Sequence, residues 1–463
     1  LKFAANKFSI ARKTLKNIPL ILFLGKNLAE YNQQTADCRT LTHQINLEFP
    51  ADQLQGHKAI CPSNPDSPGT LAYHGSYLRT KIIDTEGRLH QVRIHRVYCP
   101  KCRQTWTVYP SILIPGKHYD SYVVQNTLEN TLSYQQSYRA VTRQQSQLTS
   151  SGAPKANRFK HARTPWNWVI GLGQFSLPLV LLACGLTPPP YAVEDEKFLK
   201  QNRQKSFAVG LVDHRHDLLW WLDYVFATDQ HTLQTSFGTL LSWLKLVNPT
   251  FYFEGITGDS WLAAKKAFAA LDSRTKLAEC LLHPMLKFEK EVAHYIRQEH
   301  LPDQVAEILI EAYWQILLAP DQSTWESNLA ELASWEDFEH PILAERLASL
   351  ERKKEGLCLR FSDPNLAPTS NPIDRIFQRF ERKFSSMQQF RTDESGRATL
   401  NAWGIVYNFR RFGPEAKRAE QSPVELAGVS LGGLPWLQYI LIQLSKVRWL
   451  KNSSALFHNL CGL

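Results

Sequence analysis

Residues 250–268 read TFYFEGITGDSWLAAKKAF. Phe251, Phe253 and Ile256 among β-favouring neighbours predict a short buried strand, after which Gly258 lets the chain turn and present Asp259. Trp261, Ala264 and Phe268 follow at helical spacing. A carboxylate between a buried strand and a helix is a common address for metal-assisted phosphoryl chemistry, because the sheet fixes the oxygen while the strand end stays open to substrate. The same Asp can also simply cap the next helix. Three further features accompany it: the acids Glu194, Asp195 and Glu196 in YAVEDEKFLK, Cys280-x-x-His283 in RTKLAECLLHP, and another carboxylate before a basic helix in TSNPIDRIFQRFERKF. Two divalent ions roughly 3.5–4 Å apart, held by such carboxylates, can activate the entering oxygen and stabilise the leaving one in a displacement at phosphorus. Magnesium, a hard ion, suits an all-carboxylate donor set.

A second constellation lies upstream. Strands are expected over 73–83 and 89–98 with a turn at 85–88, followed by CPKCRQTW, whose Cys99-x-x-Cys102 can clamp zinc on a tight knuckle. Cys61 is the third thiolate in reach, and His57, His74 and Asp66 compete for the fourth position, with His57 preferred for standing just before Cys61. Beyond it, Val124, Leu128 and Leu132 recur at helical spacing and Ser137 offers an N-cap to a second short helix. Arg139 and Arg143 on that helix suit a helix-turn-helix gripping DNA phosphates and groove edges.

The elements that position these residues fill a chain of 463 residues, long enough for two or three domains. A formal charge of +10 points to a polyanionic partner, and eight cysteines without even spacing fit a reducing cytosol better than a disulfide framework. Residues 7–26 have basic flanks around IPLILFLG like a weak signal peptide, without a clean cleavage pattern. Residues 165–193 carry no charge and meet the length of a membrane span, but Asn167, Gln174, Pro178 and Pro188 to Pro190 interrupt them. A buried helix over 177–186 is expected instead, and a domain boundary is expected near Thr164-Pro165, where Thr can cap a helix and Pro take its first position. A short strand ending in the three acids, a hairpin of 206–212 and 218–225, a helix over 232–247 and the strand before Asp259 make the front half of a ribonuclease H-like mixed sheet, an α/β fold. Cys280 and His283 are placed on a further strand, and 285–354 reads as an all-helical insertion.

The succession VEDEKF, GITGDSW, CLLH, TSNPIDRIFQRFERKF and WGIVYNFRRF resembles the catalytic domain of DDE-type insertion-sequence transposases, closest to Mutator-like ones, over residues 57–435. The zinc ribbon and helix-turn-helix are similar to the DNA-binding front end of bacterial members. The resemblance implies Asp195, Asp259 and Asp374 as the acids that hold Mg2+ or Mn2+, accompanied by Cys280 and His283; either His283 orients the scissile phosphate or the pair braces the core. It implies DNA cleavage and strand transfer on transposon ends, a homodimer or larger assembly, and a bacterial cytoplasmic, nucleoid-associated protein. Arg375, Arg379, Arg382 and Lys383, which flank the third acid, are expected to hold the DNA backbone; Glu381 and Asp363 are the rivals for that acid. The expected domains are a basic N-terminal segment (1–56), a zinc-ribbon-like module (57–117), a helix-turn-helix with basic linker (118–163), the first part of the catalytic domain (164–283), the helical insertion (284–368), and the last part with C-terminal helices (369–463). Two departures exist: the family's third acid is usually Glu, and its first zinc knuckle usually has two cysteines. They support the alternative of a transposase-derived DNA-binding protein that has lost catalysis.

Overall fold

Apolar Ile82, Val92 and Ile94, brought together by a short turn, join Leu113 in a small core. In the computed structural model, which describes residues 72–453 apart from 86–88, 102, 109–112, 115–116, 135, 149–160, 202–203, 260, 388–389, 391 and 417, this core belongs to a three-stranded antiparallel sheet. Its strands are β1 (Ala72–Ile83), β2 (Leu89–Cys99) and β3 (Gln104–Val108), the first two close to their expected limits. Two helices follow. In α1 (Ser121–Leu132) the residues Val124, Leu128 and Leu132 are buried as their spacing requires, and Asp120 caps the helix by accepting from Val123 N at 2.8 Å. Ser137 Oγ caps α2 (Tyr138–Leu148), accepting from Ala140 N at 3.1 Å.

The uncharged stretch folds into α3 (Arg163–Gly173) and α4 (Leu177–Ala183), which meet at 67°. No single helix among the described residues is long and apolar enough to cross a membrane. The first helix starts at Arg163 after Ala162, so Thr164 does not cap it. Pro165 lies in its first turn, where a missing N–H leaves no helical bond unmade.

The second sheet contains β4 (Tyr191–Gln201), β5 (Gln204–Asp213), β6 (Leu218–Val225), β7 (Gly255–Gly258) and β8 (Lys276–Glu279) in the order β6-β5-β4-β7-β8. The first three form an antiparallel meander, because short turns join them; β7 and β8 run parallel to β4, reached through the crossover helices α5 (Gln230–Lys245) and α6 (Leu262–Leu271). Phe237 and Phe268 stack at 4.3 Å where these helices meet.

Three local expectations are corrected. The acids lie in the middle of an 11-residue strand and not at its end, since β4 keeps pairing with β5 as far as Gln201. Parallel pairing with β7 stops at Val193, however, so the acids begin where that neighbour ends. Phe251 and Phe253 are buried but precede the strand, packing edge to face with each other at 5.1 Å and reaching Phe268. Cys280 follows β8, and His283 falls in the first turn of α7 (Leu282–Gln298), whose Pro284 again occupies a turn free of that obligation.

Helices α7, α8 (Asp303–Leu317), α9 (Gln322–Ala333) and α10 (Pro341–Ser362) enclose their own core, with Phe288 stacked on Tyr313 at 3.9 Å. The chain then forms α11 (Asn371–Met387), α12 (Asp393–Phe409), α13 (Pro423–Leu426) and α14 (Trp436–Ser453). The described residues form two compact units: a sheet-and-helix unit within 188–381 that also takes in Phe390, and a unit of those within 72–187, 382–387 and 392–453. The boundary expected at 164 lies one helix pair upstream of this division. In the second of these units Gly173 lets α3 touch α12 backbone to backbone; a Cβ there would stand 1.7 Å from the Ala398 carbonyl oxygen.

Candidate carboxylate site

Strand alternation and helix docking gather the acids. Asp195 pairs with Gly210, and on the same face Ile373 and Phe377 of α11 pack against Gly210, where a Cβ would come within 2.8 Å of Ile373 Cδ1. Val193 pairs with Thr257, and Asp259 follows just beyond the end of β7, where its charge acts on Glu194 and Glu196. Glu194 and Glu196 point to the other face. There Gly258 has a different task from the expected turn: it is the last residue of the strand, and a Cβ on it would stand 2.2 Å from Glu194 Oε1.

Asp374 sits in the first turn of α11 and within hydrogen-bonding reach of Asp195. Burial, the charges of Asp374 and Glu196 and the hydrogen bond with Asp374 push Asp195 up to about 8. Burial and the charge of Asp259 raise Glu196 to about 7, while Glu194, fully enclosed beside the same acids, is held well above the carboxylate range. Asp259 is half-buried; its Oδ1 accepts from Trp261 N at 2.8 Å, so it also orders the start of the next helix. Both rivals for the third acid lie elsewhere. Glu381 is exposed and paired with Lys197 at 2.9 Å, and Asp363 is held by Lys276 at 2.6 Å and Tyr191 at 3.0 Å.

Ser370, which sequence reasoning missed, ties the site together. Its N–H and hydroxyl donate to Cys280 Sγ at 3.2 and 3.4 Å, and the same hydroxyl lies 3.3 Å from Asp374 Oδ2. Burial alone would raise the Cys280 thiol, but His283 and Ser370 outweigh it and set it below its ordinary value. His283 is raised to about 9, chiefly by Cys280, against burial and with help from Asp195 and Asp259. Its Nδ1 is buried without a hydrogen-bond partner. Only a Ser just before Asn-Pro signals this link in sequence.

The acids form adjacent pairs and not a ready cage: among the described residues no three His, Cys, Asp or Glu side chains stand in ion-binding geometry. The donor set nonetheless fits a hard divalent cation. It is all oxygen, and a bound cation would relieve the carboxylate charge that, after burial, raises Asp195 and Glu196.

The other expected site residues divide. Cys99 is buried at the end of β2, opposite Gln104 across a turn in which Arg103 adopts φ 55°. His57, Cys61 and Cys102 lie outside the described residues. Arg139 and Arg143 are exposed on α2, four residues apart, while Val141 is buried. Arg375, Arg379 and Arg382 are exposed on α11. Lys383 is not: it is 1% exposed, donates to the Gln136 carbonyl at 3.3 Å and lies 5.5 Å from the Tyr138 ring. It follows Ile376 and Phe380 on the buried row of the helix, a period legible in the sequence, and so cannot hold a DNA backbone.

Residues 64–147 match the family model described as Domain of unknown function (DUF6431). The DUF6431 match takes in the three-stranded sheet, α1 and nearly all of α2, and ends before the carboxylate-bearing sheet. It therefore marks the sheet and helix pair as one module. No curated protein matches the chain.

Proposed function

We propose that this chain is a DDE-type DNA transposase whose second sheet is a ribonuclease H-like catalytic unit, and that it cuts and joins DNA ends. The observation that carries the reading is the contact of Asp374, at the start of a helix, with Asp195 on the central strand of a sheet ordered β6-β5-β4-β7-β8, with Asp259 just beyond the end of the neighbouring parallel strand. The contact of Asp374 with Asp195 favours the active enzyme over an eroded DNA-binding derivative, since the shorter third acid still reaches its partner.

Asp195, Asp259 and Asp374 would hold Mg2+ or Mn2+, which when bound supplies activation of the entering oxygen and charge relief on the leaving one. The chain's own residues do the rest. Ser370 and the packing of Ile373 and Phe377 fix the helix that carries Asp374. His283, raised to about 9 chiefly by Cys280, is assigned the role of orienting the scissile phosphate. Exposed Arg375, Arg379 and Arg382 supply sequence-independent attraction to the backbone, and Arg139 and Arg143 of the DUF6431 region bind the terminal sequence. Zinc on Cys61, Cys99, Cys102 and His57, and assembly as a dimer on paired ends, complete the proposal.

The test is metal-dependent nicking of a duplex carrying the inverted repeats that should flank the gene. Nicking that needs Mg2+ or Mn2+ and vanishes in Asp195→Asn and Asp259→Asn is expected. Specific binding without nicking by the parent protein would favour the DNA-binding derivative instead.

A further inference from the structure

We infer that a cleft of about 460 Å3 in the unit that contains α1 and α12 binds an unpaired nucleobase together with its phosphate. Its walls come from α1, the turn after it, the segment following α12 and the start of α14, and include Glu129, Tyr134, Arg410, Phe412 and Trp436. The cleft shares no residue with the carboxylate cluster.

Three features select the occupant. The first is flat aromatic surface: Tyr134, 55% exposed, presents a ring that the Arg410 guanidinium covers at 4.3 Å, while Nη2 of that arginine donates to the Tyr134 hydroxyl at 2.8 Å. This pairing holds the ring in place before a ligand arrives, which lowers the ordering cost of binding. The second is charge. Arg410 forms no ion pair with a carboxylate among the described residues, whereas its neighbour Arg411 is held in both directions by Glu425, the shortest contact being 2.6 Å. The third is an acceptor. Glu129 Oε1 already accepts from Trp436 Nε1 at 2.6 Å and from Gln125 Nε2 at 3.1 Å, which leaves Oε2 without a hydrogen bond among the described residues.

A ring face, an uncompensated cation and a free carboxylate oxygen match a nucleotide unit. The base stacks on the aromatic surface, its exocyclic amine donates to Glu129, and its phosphate faces Arg410. An aliphatic or purely anionic ligand would use only one of these groups. The nucleotide can be free or can be the unpaired end of a strand, and the chemistry is the same for both.

Full-length protein and 2-aminopurine, whose fluorescence falls on stacking, provide the test. One arm uses a duplex with 2-aminopurine in a single-stranded overhang, a second a blunt duplex, and a third the free 2-aminopurine nucleoside monophosphate. The wild type should quench the probe. Tyr134→Ala should weaken overhang binding roughly five- to hundredfold and leave the blunt duplex unaffected, while Tyr134→Phe keeps the quenching and Arg410→Gln weakens binding of the phosphorylated probe. The same dependence with free nucleotide identifies that as the ligand, and dependence with the overhang alone identifies a strand end. Absence of quenching in every arm, or equal quenching by wild type and Tyr134→Ala, overturns the inference. Should the chain bind no duplex at all, the DNA-processing reading fails separately and the free-nucleotide arm decides the cleft.

Discussion

Asp374 stands within hydrogen-bonding reach of Asp195, although the two belong to a helix and a strand separated by the whole helical insertion. Two carboxyl groups this close cannot both ionise without cost, and burial adds to that cost. The sheet unit therefore carries a site built against its own stability.

The pH dependence follows with a definite sign. The folded-state pKa of Asp195, about 8, is raised above its unfolded value, so the folded protein holds the extra proton. Its contribution to stability is fully present below the unfolded pKa of about 4 and is lost as pH rises through the folded pKa. Asp195→Asn should flatten this decline. Thermal melting at pH 5 and pH 8 should show the variant gaining on the wild type at the higher pH by at least roughly 2–4 °C; an equal gap at both pH values would mean that the two acids are not coupled.

Added Mn2+ should raise the melting temperature of the wild type in a concentration-dependent way, because a ligand that binds only the folded chain stabilises it. Asp374→Asn should abolish the rise and Glu381→Gln should keep it, since Glu381 is occupied by Lys197 on the exposed side of the helix. The reverse pattern would assign the third acid to Glu381.

Gly258→Ala should destabilise the sheet unit by about 1–3 kcal/mol, the usual range for forcing atoms into filled space. The added methyl would meet the Glu194 carboxylate, which is itself enclosed. Chemical denaturation of Gly258→Ala, Glu194→Ala and the double variant checks this: in the double variant most of the loss should be recovered, and simple additivity of the two effects would refute the contact.

Burial lowers Lys383 to about 8, so between that value and its unfolded pKa the stability it contributes rises with pH. Lys383→Met should stabilise the protein near neutrality and leave its affinity for DNA unchanged at fixed salt. Arg379→Ala and Arg382→Ala should instead weaken DNA binding and reduce its salt dependence, each by about one counterion. Affinity measured at several salt concentrations separates the two classes; a reduced slope for Lys383→Met would mean that it touches DNA after all.

Much of this arrangement was legible from local patterns. Apolar periodicity found the hairpin of β1 and β2, the pair α1 and α2 with its Ser137 cap, and the meander of β5 and β6, because each is decided by neighbours in sequence. Asp259 stood at a strand end as its Gly-Asp setting suggested. What escaped notice depends on partners distant in sequence. The limits of β4 are set by how far β5 and β7 extend, the role of Gly258 by Glu194 on the adjacent strand, and that of Ser370 by Cys280. Lys383 differs for another reason: charge alone treats the basic run as one surface, whereas the helical period assigns that lysine to the inner row.

The docking of α11 over Gly210 also has a consequence for biosynthesis. The strand ladder from β4 to β8 pairs residues made before the insertion, and a growing chain folds its N-terminal parts first. Asp374 emerges only after all four helices of the insertion have been made. A ribosome-bound chain can thus complete its sheet, with Asp195 and Asp259 in place, and still lack a competent centre. Under the proposed function, a chain assembled in this order acquires its third acid only after the insertion is made, and truncated products released before that helix lack it.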